Sequence, residues 1–367
     1  MNTVIACGGT GGHLFPGLAV AEVLRERGHE VMLIISEKEI DALAVSNRSE
    51  FRVEKLPSVG LPSPFSPAIF GFTRRFTESL SVCRRIYRSF KPQVVLGMGG
   101  FTSTAPILAG RMRGLPTFIH ESNAIPGKAN KLTARMVGAV MLGFKECAQF
   151  FPRVRTEITG TPIRAALRPM DRATARRNLG LEEDRATLLV MGGSQGATGI
   201  NQAVIKSLPA LQGLPIQVIH LAGGRDEGLL ADNYRRENIP AYVAAFHHSM
   251  EDVYSAADLA IARSGAASLA ELAMFSLPSI LIPFPYAAED HQTRNAEIFA
   301  RENAATIVKE SEISTDLLPR KIRELINDPA KLAAMGKNAS ALAPKNAAAL
   351  VVETMERYTG PNHDVRL

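Results

Sequence analysis

The 367-residue sequence contains no tryptophan, three cysteines, and no apolar run near the roughly 20 residues needed to cross a bilayer. Cys7, Cys83 and Cys147 cannot build a paired framework in a chain this long. They read as reduced thiols, which points to a reducing compartment and to the cytoplasm as the default. The chain opens directly into the apolar run Val4 to Cys7, with no basic segment or cleavage site before it, so no export signal is expected. No Gly-Lys-Ser/Thr follows any glycine cluster, which argues against Walker-type nucleotide hydrolysis. Dinucleotide binding also fits poorly: "GGTGGH" lacks the GxGxxG spacing, and Glu37 and Glu39 are offset from a ribose-binding position.

Apolar residues make up 46% and charged residues 21% of the chain, which excludes disordered and fibrous classes and leaves ample material for two cores. The net charge of +6 is unevenly placed. Residues 1–160 carry 20 basic and 12 acidic side chains, whereas residues 161–367 carry 22 and 24. A basic first half points to a phosphate-bearing ligand or an anionic surface rather than to a uniformly sticky protein, and no nucleic-acid partner is expected.

Short β-rich runs alternate with helical patterns: Thr3 to Cys7, a helix predicted from about Pro16 to Arg27, then Glu30 to Ile35. Such alternation predicts parallel sheets covered by helices, an α/β fold. The pattern restarts at "TLLVMGGSQGATGINQAVIKSL", which repeats the layout of "TVIACGGTGGHLFPGLAVAEVL" 184 residues on, counted from Gly8 to Gly192. Two Rossmann-like domains facing a cleft are expected, the first spanning 1–160 and the second 161–343. Gly160, Pro162 and Pro169 punctuate the boundary, and a last helix over about 344–358 is expected to return to the first domain.

Three glycine clusters, "CGGTGGH", "GMGGFTS" and "GGSQGA", each follow an apolar strand and open toward a helix. In open α/β sheets this is the edge where ligands bind, and glycine lets backbone N–H groups approach a phosphate. One such loop could serve tight packing alone; three in one chain favour a phosphate ligand.

With "RSGAASLAELA", "HESNAIPGKANK" and "DHQTRNA", these segments resemble the MurG family of glycosyltransferases, in order and over nearly the whole chain. The resemblance implies a glycosyltransferase-B fold and an inverting N-acetylglucosaminyltransferase of peptidoglycan synthesis. The donor would be UDP-N-acetylglucosamine (UDP-GlcNAc), held mainly by the second domain. The acceptor would be undecaprenyl-diphosphate-linked muramoyl-pentapeptide (lipid I), held by the first. It implies no metal and no cofactor, work at the cytoplasmic face of an anionic membrane, and cell-wall synthesis proteins as possible partners. Two alternatives stay open: another UDP-sugar enzyme of this fold, such as an epimerase or glycolipid synthase, and a nucleotide-sugar-binding module without turnover.

Residue roles follow from the same resemblance. Glu271 is expected on the ribose hydroxyls, with Ala266, Ala267, Ser268, Leu269 and Ala270 presenting backbone N–H groups to the diphosphate. Ser194 and Arg164 are expected at the diphosphate, Gln292 and more weakly Asp290 at the sugar, and Phe246, His247 and Met250 around the uracil. Adjacent His247 and His248 would point apart on a strand, so they make a poor metal pair. In the first domain Thr10, Gly11 and Gly12 would face the donor, and His13 is the expected base for the acceptor hydroxyl, an imidazole suiting that task near neutrality. A histidine capping a helix that begins at Pro16 is the competing reading. Glu121 and Asn123 are the other polar groups expected near the reaction, with His120 orienting them. Gly99, Gly100, Phe101 and Ser103 are expected on the acceptor side. There the sequence departs from the family pattern, with Phe101 where tyrosine is common and Ser122 where glutamine is usual.

Between Leu61 and Lys91, Phe65, Phe70 and Phe72 lie beside Arg74, Arg75 and Arg84, and only Glu78 opposes six positive charges. A Pro- and Phe-rich surface loop followed by a basic helix face is expected, suited to an anionic interface.

Overall fold

The computed structural model describes residues 1–46, 48–57, 60, 62, 66–193 and 196–359. Phe65 and Ser194, both singled out from the sequence, lie outside the described residues. Thirteen strands are assigned among those described: β1 Asn2–Ala6, β2 Glu30–Ser36, β3 Arg52–Leu56, β4 Val94–Gly97, β5 Thr117–Glu121, β6 Ala139–Leu142 and β7 Thr156–Ile158, then β8 Ala186–Met191, β9 Ile216–Leu221, β10 Ala241–Ala244, β11 Leu259–Ala262, β12 Ser279–Leu281 and β13 Ala305–Ile307. The helices are α1 Gly11–Glu26, α2 Glu39–Val45, α3 Ala68–Phe90, α4 Thr104–Arg111, α5 Lys128–Thr133, α6 Arg172–Asn178 and α7 Thr198–Leu211, then α8 Glu227–Arg236, α9 Met250–Ala256, α10 Ala266–Met274, α11 His291–Arg301, α12 Leu317–Ile326, α13 Pro329–Ala341 and α14 Ala347–Thr359.

The chain divides into two units, one of residues 1–165 with 346–367 and one of residues 166–345. The first sheet runs β3-β2-β1-β4-β5-β6-β7 and the second β10-β9-β8-β11-β12-β13, and every pairing is parallel. Both therefore begin in mid-sheet, step outward through two strands, then reverse. The reversal opens a crevice beyond the carboxyl ends of the central strands, where the first two glycine loops and the described glycines of the third, Gly192, Gly193 and Gly196, sit.

Burial on both faces explains why the strands read as continuous apolar runs. On β1, Ile5 joins Leu14, Leu18 and Leu24 of α1, while its neighbour Val4 points to the opposite layer with Cys83, Ile86 and Tyr87 of α3. Val351, Val352 and Met355 of α14 complete the α1 layer of the first unit. In the second unit, Leu188 and Val190 meet Ile200, Val204 and Leu208 of α7 and Ile322 and Leu325 of α12. Burying one such side chain is worth about 1.5–3 kcal/mol, so these layers rather than surface ion pairs hold each unit. All three cysteines are buried and unpaired. Burial pushes the Cys83 thiol up to about 12.

Two expectations about elements are corrected. The first helix starts at Gly11, not near Pro16. Pro16 lies inside it and leaves the Gly12 carbonyl without its i+4 donor, a loss that packing of Leu14, Leu18 and Leu24 offsets. Phe70 and Phe72 lie on α3, not on a loop before it.

Candidate active site

In the first unit the site is built where the first two glycine loops meet. Thr10 is the N-cap of α1 and His13 its third residue, with Thr10 Oγ1 3.2 Å from His13 Nδ1. Because α1 starts at Gly11, His13 stands in the helix's first turn rather than ahead of a helix that begins at Pro16. Its half-buried imidazole lies against the second loop: a Cβ built on Gly99 would sit 3.0 Å from His13 Nε2, and one on Gly100 3.1 Å from Nδ1. Both glycines have positive φ, +103° and +69°, so neither position suits a side chain on backbone grounds either. Ser103 is buried and donates its hydroxyl to the Gly100 carbonyl at 2.8 Å, bracing the loop from inside. Phe101 packs edge-on to Phe72 of α3, with ring centroids 6.2 Å apart.

The carboxyl end of β5 carries the second group. The buried Glu121 accepts from the backbone and side-chain nitrogens of Asn123 on Oε1, at 3.0 and 3.1 Å. On Oε2 it accepts from Gly127 N at 3.0 Å and Asn130 Nδ2 at 2.8 Å. Four donors match the roughly four lone-pair positions of a carboxylate, so Glu121 moulds the loop 122–127 and orients Asn123. Beneath it, His120 Nε2 donates to the Gly160 carbonyl at 2.9 Å, and burial lowers its pKa, keeping the ring neutral. Arg164 stacks over Phe15 of α1 at 5.0 Å, and its buried Nε has no hydrogen-bond partner among the described residues.

In the second unit α10 begins at Ala266 behind Gly265, which has no side chain to cap it. The N–H groups of Ala266, Ala267 and Ser268 therefore lack intrahelical partners, as an anion site requires. Leu269 and Ala270 do not join them. Leu269 N donates to the Gly265 carbonyl at 3.0 Å, and both side chains are buried in the core. Glu271 Oε2 accepts from the Tyr254 hydroxyl at 2.6 Å, which aims the carboxylate from α9. The start of α11 is stapled to the β11–α10 turn. Ser264 Oγ donates to the Gln292 carbonyl at 2.8 Å and Asn295 Nδ2 to the Ser264 carbonyl at 3.1 Å, while Gln292 Oε1 accepts from Phe284 N at 2.9 Å. Glu289 and Asp290 just before α11 hold φ of +56° and +53°. Arg263, unremarked in the sequence, binds the Ile282 and Pro283 carbonyls at 3.1 Å each and pairs with Glu310.

His247 and His248 lie on the loop after β10 rather than on a strand. His247 Nδ1 is 2.9 Å from the Tyr242 hydroxyl, and His248 packs edge-on to the exposed Phe246. Among the described residues no group of three or more His, Cys, Asp or Glu side chains could hold a metal ion. No helix among them is long and apolar enough to cross a membrane. On α3, Arg74, Arg75 and Arg84 are exposed and Phe70 is 80% exposed, whereas Phe72 is half-buried against Phe76 and Phe101. Among the described residues, Phe70 is thus the exposed phenylalanine of the expected patch and Phe72 is not.

Residues 3–142 match the N-terminal domain of glycosyltransferase family 28, and residues 187–351 match its C-terminal domain. A UDP-N-acetylglucosamine--N-acetylmuramyl-(pentapeptide) pyrophosphoryl-undecaprenol N-acetylglucosamine transferase of Geobacter metallireducens is 38% identical over 365 residues, covering 97% of this chain and 98% of the relative. A crystal structure of MurG from Acinetobacter baumannii matches with a TM-score of 0.79 at 26% identity, covering 97% of this chain and 99% of that one. This chain belongs to the MurG family. A Listeria monocytogenes structure described as a putative UDP-N-acetylglucosamine 2-epimerase shares 11% identity at a TM-score of 0.70, a likeness of fold alone. The MurG family's glycosyltransferase-B fold accounts for both parallel sheets and their shared strand order.

Proposed function

We propose that this MurG-family chain moves N-acetylglucosamine from UDP-GlcNAc to the C4 hydroxyl of the muramoyl sugar of lipid I, inverting the anomeric centre. The observation that carries the reading is 38% identity along almost the full length to a transferase of that name. The conjunction of His13 with the Gly99–Gly100 loop supplies a chemical reason.

Inversion in one displacement needs a base at the acceptor hydroxyl and stabilisation of the departing diphosphate. His13 is the base: with Nδ1–H donated to Thr10 Oγ1, Nε2 accepts the proton of the attacking hydroxyl. The glycine loop beside it receives the acceptor diphosphate through backbone N–H groups, and Asn123 hydrogen-bonds the reacting sugar. In the second unit the start of α10 binds the UDP diphosphate, Glu271 the ribose, Gln292 the transferred sugar, and the loop carrying Phe246 and His247 the uracil. As UDP leaves, charge grows on oxygens already facing fixed N–H dipoles, which lowers the barrier without reorganisation.

The exposed arginines of α3 and Phe70 set the first unit against an anionic membrane at its cytoplasmic face, where the lipid acceptor lies. The reading is tested by proton NMR of the product formed from UDP-GlcNAc and a short-chain lipid I analogue. A β-linked N-acetylglucosamine on the muramoyl C4 is expected. An epimerised nucleotide sugar, or binding without product, contradicts it.

A further inference from the structure

The first glycine loop rests on an acidic residue of α2. Asp41, the third residue of α2, is fully buried. Its Oδ2 accepts from Gly9 N at 2.6 Å, from Ser36 N at 3.2 Å and from the Ser36 hydroxyl. Lys38 holds the same peptide unit's neighbour, donating from Nζ to the Gly9 carbonyl at 2.7 Å. The fit around this seat is tight: a Cβ on Gly8 would lie 2.2 Å from Ser36 N and 2.9 Å from Asp41 Oδ2. Gly9 itself has φ +107°, a conformation that needs an external hold to be the one populated. One residue on, Thr10 caps α1 and contacts His13.

Stability alone does not explain a carboxylate here. Asp41 Oδ1 is buried without a hydrogen-bond partner among the described residues, and a desolvated oxygen lacking a donor opposes folding. A carboxylate is, however, a stronger and more directional acceptor for an N–H than a neutral group.

We propose that Asp41 is a positioning residue for the transfer: its buried carboxylate fixes the Gly9 peptide and thereby holds Thr10 and the His13 imidazole in register with the Gly99–Gly100 loop. The inference rests on the reading of His13 as the base. Asp41 touches no substrate, so its loss acts on kcat and leaves the Michaelis constant for UDP-GlcNAc nearly unchanged.

The test is steady-state transfer to a soluble lipid I analogue by the full chain, Asp41→Ala, Asp41→Asn, His13→Ala and the His13→Ala/Asp41→Ala double variant. Asp41→Ala should lower kcat by about 10- to 100-fold, the scale of an ångström-sized misplacement, with KM for UDP-GlcNAc within about threefold. Asp41→Asn, which keeps an acceptor oxygen for Gly9 N–H, should recover much of the loss. In the His13→Ala background the Asp41 change should cost no more than about twofold further, because both act through one group. Turnover of Asp41→Ala near that of the parent, a loss confined to KM, or an undiminished effect in the His13→Ala background overturns the inference while leaving the base in place. Near-parent turnover of His13→Ala instead removes the base reading, and this inference with it. If Asp41→Ala fails to fold by circular dichroism, Lys38→Met tests the hold on Gly9 from its carbonyl side, through an exposed side chain. A drop in kcat at constant KM is then expected, and an unchanged kcat overturns the proposal.

Discussion

Thr10 Oγ1 and His13 Nδ1 stand 3.2 Å apart at the start of α1, so the N-cap of that helix is also the neighbour of its histidine. In the proposed mechanism this pairing holds the imidazole through Nδ1 and leaves Nε2 for the acceptor hydroxyl. Thr10→Val, which keeps the shape and removes the hydroxyl, should lower kcat for transfer by roughly 3- to 30-fold, a fraction of the 10²–10⁴-fold of a general base. Binding of UDP-GlcNAc, read by calorimetry, should stay within about twofold. An unchanged kcat would detach Thr10 from the base.

The second loop gives a steric counterpart. Gly99→Ala places a methyl 3.0 Å from the His13 ring at a residue with φ +103°. The left-handed backbone costs on the order of 1–2 kcal/mol, and the ring must also move. The variant should fold with a lowered melting temperature and lose at least about tenfold in kcat, and full activity would show that the ring and loop are not in register.

Glu271 is held by Tyr254 at 2.6 Å. Glu271→Ala should raise KM for UDP-GlcNAc by about 10- to 100-fold, the loss of hydrogen bonds to a charged group. Tyr254→Phe, which only loosens the carboxylate, should raise it less. Equal KM values for all three proteins would place the ribose elsewhere.

Acid sensitivity of the second unit follows from His220. Its Nε2 faces Asn201 Oδ1 at 3.1 Å and its Nδ1 the Tyr234 hydroxyl at 2.9 Å, while Asn201 Nδ2 donates to the Ala222 carbonyl and Asp226, which fixes the amide orientation. Nε2 therefore carries the hydrogen in a neutral ring, and burial takes its pKa down to about 3. The unfolded chain binds this proton near pH 6.5, so below that value it holds more protons than the folded state. The contribution of His220 is complete above about pH 6.5 and falls by up to about 1.4 kcal/mol per pH unit down to about pH 3. Urea melts between pH 7.5 and 4.5 should show this slope in the parent and a flatter one in His220→Gln; identical slopes would exclude His220 as its source.

For the membrane, Arg74→Glu, Arg75→Glu and Arg84→Glu together should weaken binding to anionic vesicles by at least about 100-fold, at about 1 kcal/mol per basic residue. Transfer to a soluble acceptor should be unaffected. Unchanged vesicle binding would defeat this orientation.

Much of the fold was legible because the cues are local. Apolar runs separated by helical patterns, and glycines at strand ends, announce a doubly wound unit, and the repeat at Thr187 announces a second. What escaped depends on contacts distant in sequence or on cancelling preferences. Pro16 suggested a helix start, but packing of Leu14 and Leu18 carries the helix back to Gly11. Phe72 seemed to belong to a surface loop, but α3 starts at Ala68 and seats its ring against Phe76 and Phe101. Leu269 and Ala270 belong to a glycine-led anion motif by sequence, yet helix geometry uses their N–H groups internally. Asp41 follows Glu37 and Glu39 as one acid among three, and its bond to Gly9 spans 32 positions, so no local pattern reports it.

The central claim is tested most directly by acceptor dependence. UDP release and label transfer are measured together with radiolabelled UDP-GlcNAc, with and without a lipid I analogue. UDP release is expected only when the acceptor is present, matched one to one by label on the lipid. UDP release without labelled lipid, or label appearing as free sugar, would contradict it.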